Sequence, residues 1–301
     1  MEDWHAVLDS LTADPLTNAT ARLITVRALY ETGRLPEELF SWFHCPGPEL
    51  LSTSDLRQYA GALQIADTLL HLGQVNAAER LAFDSLEFEG ESPAVLRALV
   101  RLHVVKGFTN AARIFLNRLQ AYPEHSAWAL RFREALATNS PAAADPAISR
   151  IHANLVTRDR IASGLTTERL LRQTLESNPQ NPMAAQYLMA HQLLMRQLLQ
   201  ARQTLATSAH AREGPLPRHY AEALLLHRRL YPGIAVGPLL ERVPVEVETR
   251  FRAFEEMMNR ATRADETVQA QAWRDFGNTY WYYHVFGPRH SAGPLATAGN
   301  R

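Results

Sequence analysis

Cysteine is almost absent. A single residue, Cys45, stands in 301, so no internal disulfide and no cysteine-rich metal knuckle can form. The compartment stays open, because exported proteins can also lack bridges. Apolar runs of 18 or more residues are missing, and the start, Met1-Glu2-Asp3-Trp4-His5, has neither the basic nor the apolar region of a secretion signal. The polypeptide as given is expected to be soluble. Charge of one sign is not in excess either. Lys plus Arg and Asp plus Glu each number 31, which argues against the positive field that collects nucleic acid or anionic lipid. Nucleophile-elbow, dinucleotide and Walker glycine motifs do not occur. No cofactor is expected.

What is present is a folded composition, 46% apolar and 21% charged, and a repeat. Leu72-Gly73-Gln74-Val75-Asn76-Ala77-Ala78-Glu79-Arg80 returns 34 residues later as Lys106-Gly107-Phe108-Thr109-Asn110-Ala111-Ala112-Arg113, the period of the tetratricopeptide repeat. Gly73 and Gly107 can end a helix in the left-handed conformation, and Ala78 and Ala112 let paired helices approach closely. Ala62, Ile65, Ala66, Leu69 and Leu70 on the first helix match Leu96, Leu99, Val100, His103 and Val104 on the next. On the second helices, Ala78, Leu81, Ala82 and Ser85 match Ala112, Phe115, Leu116 and Leu119. Each set lines one helix face.

The pattern predicts an all-α, tetratricopeptide-like, right-handed α-solenoid of antiparallel helix pairs. Residues 1–138 form its N-terminal repeats, and 139–146, rich in Pro and Ala, a linker. Residues 147–286 carry degenerate repeats with an aromatic cap, and 287–301 a disordered tail. In the distal half Arg196 stands where the repeat glycine belongs, and Val247, Phe251, Phe254 and Met258 form an apolar stripe.

Three segments, His71 to Phe83, Pro217-Arg218-His219-Tyr220-Ala221-Glu222-Ala223-Leu224 and Phe276 to Phe286, resemble in order the C-terminal soluble region of a bacterial membrane-protein family, domain of unknown function 6057. The resemblance covers roughly residues 18–286. Its most specific element is Phe276-Gly277-Asn278-Thr279-Tyr280-Trp281-Tyr282-Tyr283, with Asn278 where an acid is expected. It implies a helical region that follows transmembrane helices, on the extracytoplasmic face of a bacterial membrane. It implies no reaction. Without that context the chain reads as cytoplasmic.

The titratable residues offer little chemistry. Twelve histidines include no His-Glu-x-x-His or similar pairing, and His210, His219 and His227 are spread over two elements, so no metal site is expected. His44-Cys45 lies in a loop without a base or an electropositive pocket beside it in sequence. Glu37-Glu38, Glu246, Glu248, Glu255 and Glu256 read as solvated helix faces.

The expectation is therefore a non-enzymatic protein-interaction scaffold, the soluble accessory domain of a membrane-associated protein, with a protein or peptide partner. The enzymatic alternative is a helical toroid that binds or processes glycans. Contact residues are expected at Arg97, Arg101 and His103, lining a groove of first helices, and at Tyr280, Trp281 and Tyr282. The aromatic segment has two readings: a cap closing the last repeat, or an exposed platform for a partner or glycan.

Overall fold

The computed structural model describes residues 3–13, 19–42, 61–157, 166–207, 214–260 and 266–287, and among these every regular element is helical. His44, Cys45, His210 and the tail after Gly287 lie outside the described residues. Two compact units emerge, one of Met1–Pro48 with Met189–Arg301 and one of Glu49–Leu188. This division differs from the expected break at 139–146. Among the described residues, no helix is long and apolar enough to cross a membrane.

The first unit opens with α1 (Trp4–Ala13), α2 (Ala19–Glu31) and α3 (Leu35–Glu38), the last continued by a 3-10 turn at Leu39–Ser41. The second unit holds α4 (Ala62–His71), α5 (Val75–Glu89), α6 (Pro93–Val105), α7 (Thr109–Leu119), α8 (Pro123–Ala137), α9 (Pro141–Ala144), α10 (Ala147–Asn154) and α11 (Thr167–Ser177). The unit boundary falls within α12 (Pro182–Leu194). The first unit then resumes with α13 (Leu198–Thr207), α14 (Arg218–Leu230), a 3-10 turn at Gly237–Arg242, α15 (Val245–Arg260), α16 (Glu266–Phe276) and α17 (Tyr280–Phe286).

One turn recurs through both units. After α4, the Gly73 N–H donates to Leu70 O at 2.9 Å and the Gln74 N–H to Leu69 O at 2.9 Å. This pair of bonds closes a helix around a left-handed residue. The same pair closes α2 at Gly33, α6 at Gly107, α8 at Asn139 and α12 at Arg196. Their φ angles run from 55° at Asn139 and 56° at Arg196 to 83° at Gly73. Asn tolerates this region through its short polar side chain. The segment expected as a linker, 139–146, thus holds the closing turn of α8 and a second helix, α9, of four residues packed on α8. Its Pro-Ala composition reads as loop because Pro141 opens α9 and Pro146 stands two residues past its end.

The core of the second unit lies where the repeat places it. Ala62, Ala66, Leu69 and Leu70 are buried on α4, Leu96, Leu99 and Val100 on α6, and Ala78, Ala82, Ala112 and Leu116 on the helices that follow. Ser92 caps α6 by accepting from the Val95 N–H, and Pro93 fits its first turn, where no N–H partner is needed.

The later helices of this unit fold back onto the first pairs. α10 packs on α4 and α6, with Ile148 and Ile151 buried. Asn154 Nδ2 donates to His71 O at 2.8 Å, Asn181 Nδ2 to Leu72 O at 3.0 Å, and Gln74 Nε2 to the Thr174 hydroxyl at 2.8 Å. Gly73 is thus doubly constrained, since a Cβ there would sit 2.0 Å from Asn154 O, whereas one on Gly107 would meet nothing within 4 Å. Gly107→Ala is expected to cost about 1 kcal/mol through its φ alone, and Gly73→Ala upwards of about 3 kcal/mol. Urea titration of both variants measures the difference.

Candidate functional site

The three groove candidates sit on α6, and two of them are used internally. Arg101 is buried. Its Nε lies 2.7 Å from Asp145 Oδ2, and its Nη1 3.6 Å from Asp67 Oδ1 on α4. Asp145 also accepts from the Ala147 N–H and so starts α10, the helix that covers α4 and α6. The face expected to hold a ligand around Arg101 is filled by the protein's own chain. Arg97 is half-buried, with its guanidinium 4.9 Å from the centre of the Trp128 ring.

His103 alone borders an open surface. Its ring stacks on Phe115 at 5.3 Å with an interplanar angle of 1°, and approaches Phe83 at 6.0 Å and Phe108 at 6.4 Å. Phe83 is 39% exposed and Phe108 53%. Lys106 lies over Phe108 and pairs with Glu79 at 2.6 Å. Burial, with Lys106 beside it, lowers the His103 pKa against the opposing pull of Glu79.

The aromatic segment is core. Tyr280 and Trp281 have no exposed surface and Tyr282 is 5% exposed, which removes the exposed-platform reading. Trp281 packs on Phe251 at 5.0 Å and on Phe254 at 5.8 Å, the two buried members of the expected α15 stripe.

What fixes this segment is Glu222 on α14, itself 1% exposed. Its Oε1 accepts from Arg218 Nε at 2.9 Å. Its Oε2 faces His219 Nδ1 at 2.8 Å and accepts from the Tyr280 N–H at 2.8 Å. Its backbone carbonyl accepts from the Trp281 indole at 2.9 Å. His219 Nε2 accepts from the Phe40 N–H at 3.3 Å, which leaves the ring proton on Nδ1, toward the carboxylate. Burial would push the Glu222 carboxyl up, but His219, Arg218 and the Tyr280 N–H together hold it below its ordinary value. A buried His–Glu pair resembles a catalytic dyad. Here the second ring nitrogen already accepts from the Phe40 N–H, and the ring is fully buried.

A second cluster in the same unit was not legible as a site. Arg196, in the left-handed turn after α12, reaches over Tyr283 at 5.6 Å from the ring centre. The Tyr280 hydroxyl lies 3.1 Å from His284 Nδ1. Tyr231, at the end of α14, is 37% exposed and lies 5.2 Å from the His227 ring. Burial first, then Arg196, lowers the His284 pKa to about 4. Burial, then Arg202, lowers that of His227. The one trace in the sequence was an arginine at the repeat's glycine position.

Among the described residues, no group of three or more His, Cys, Asp or Glu is placed to hold a metal ion. The fold and these two clusters define an all-helical protein of recurring helix pairs, organised in its first unit by a buried carboxylate. A match to the family described as "Family of unknown function (DUF6057)" spans residues 1–287, and the chain belongs to that family. No curated protein and no solved structure matches it.

Two measurements test these assignments. Glu222→Gln removes the charge from a buried network, and is expected to cost about 3 kcal/mol in urea unfolding. His284 is held neutral down to about pH 4, while the unfolded chain takes up its proton near the ordinary 6.5. The unfolded state therefore binds more protons between those values, and stability falls as the pH drops through that window. Allowing for partial exposure, His284→Gln should abolish about 1–2 kcal/mol of the loss between pH 7 and pH 4.5.

Proposed function

We propose that the chain is a non-enzymatic, tetratricopeptide-like scaffold whose helix pairs stack as an α-solenoid and which binds another protein. The observation that carries this reading is the recurrence of one helix-closing turn at Gly33, Gly73, Gly107, Asn139 and Arg196, each followed by a second helix. Units of this kind bury one face on a neighbour and leave another for partners. With α10 covering α4 and α6, the face left is the aromatic surface of Phe83, Phe108 and Phe115 around His103.

The occupant we assign to that surface is an amphipathic segment of a partner protein. Its apolar residues would meet the three phenylalanine rings, and charged residues would flank them near Glu79 and Lys106. The resemblance to a helical region that follows transmembrane helices supports a membrane-associated partner, with this chain as its accessory domain.

The test is comparative affinity capture from native membranes with the wild type, Phe83→Ser/Phe108→Ser and Val245→Ser, an exposed control in the first unit. A partner kept by wild type and control but lost by the double variant, at unchanged melting temperature, is expected. Identical partners for all three would overturn the assignment.

A further inference from the structure

The geometry points to a site for a phosphate- or sulfate-type oxyanion in the first unit, held by the Arg196 guanidinium and the His284 imidazole at the end of α17. It goes beyond the scaffold reading and uses a different surface. Three independent observations carry it.

The first is backbone strain. Among the described residues, the recurring turn is built on glycine three times and on asparagine once, and only Arg196 places a long side chain there, at φ 56°. Left-handed backbone costs such a residue about 1 kcal/mol relative to glycine, and strain of this kind marks positions where the side chain is needed. The side chain reaches α17. Its guanidinium covers the Tyr283 ring, and a Cβ on Gly287 would lie 2.8 Å from Arg196 Nη2.

The second is unbalanced charge. Arg196 forms no ion pair with a carboxylate of the described residues. The charge that bears on His284 is Arg196 and the one that bears on His227 is Arg202, both cationic. The groups that bear on the Tyr280 hydroxyl are Tyr283 on its own helix, Arg196 from the turn after α12 and Tyr231 from α14. Among the described residues, no carboxylate bears on His284, on His227 or on the Tyr280 hydroxyl.

The third is unmet hydrogen bonding. His227 has no exposed surface, yet neither ring nitrogen has a partner, and Arg202 Nε is likewise buried and unpartnered. The His227 ring lies 5.2 Å from that of Tyr231. Burial keeps the Tyr280 phenol protonated. Its hydroxyl can therefore donate to His284 Nδ1, which puts the imidazole proton on Nε2 as a further donor. A guanidinium and an imidazole N–H then supply what an oxyanion accepts. A cation at the end of α17 would by itself suit that helix's dipole, but a dipole does not explain the strained backbone at Arg196.

The test uses the full chain and histidine NMR from pH 4 to pH 7, in sodium sulfate and in sodium chloride of equal ionic strength. Sulfate is expected to raise the His284 pKa from about 4 to about 5 or higher, a tenfold preference of the anion for the protonated site. Arg196→Gly should abolish that rise and, by relieving the turn, increase stability, so a folding failure will not confuse the result. A glycerol phosphate arm separates the sources. A response to it as well as to sulfate assigns a phosphate ester, and a response to sulfate alone assigns a free ion. Equal pKa values in sulfate and chloride, or a sulfate response that persists in Arg196→Gly, would overturn the site.

Discussion

The Glu222 carboxylate is the constraint on which the first unit is built. A buried charge is tolerated only when its oxygens are fully bonded, and here the donors come from separate parts of the chain: Arg218 and His219 within α14, and the Tyr280 N–H at the start of α17. His219 passes the constraint on to the turn after α3 through the Phe40 N–H. Arg218 extends it with a backbone bond to Glu37 and a side-chain bond to Asn278 O. Segments far apart in sequence are fixed by one group. This gives a physical reason for the two most distinctive runs of the chain, around His219–Glu222 and Phe276–Phe286, to occur together, since each supplies the other's partners.

The second unit is held differently, by many close backbone approaches in place of one charge. Its helix pairs leave the α4–α6 face to be covered, and the chain covers it with α10, locked by Asp145 at one end and by Asn154 against Gly73 at the other. A face that in an open repeat would receive a ligand is part of the core. That shifts the scaffold proposal to the aromatic surface around His103, where large apolar side chains are exposed together.

The parts legible in sequence were those with local periodicity. Gly73, Gly107 and the matched apolar faces gave the helices and their buried sides, because a helix face repeats every few residues whatever lies opposite. Asn139 hid a helix pair, since an asparagine followed by Ser-Pro-Ala reads as a loop until the bonds from its N–H and that of Ser140 to the carbonyls of α8 are seen. Arg101 looked available because its partner, Asp145, is remote in sequence and no pattern links them. Tyr280 to Tyr282 supported two readings, as aromatic density does not distinguish burial from display. Burial chose the core. His227 read only as one of three scattered histidines, and Tyr231 and His284 carried no sequence signal.

Native-state hydrogen exchange at two protons tests the central claim most directly. If the Glu222 node organises the first unit, the Tyr280 amide and the Trp281 indole N–H exchange only through global unfolding, at the free energy measured by urea titration. Exchange of either proton orders of magnitude faster than that limit would contradict the account.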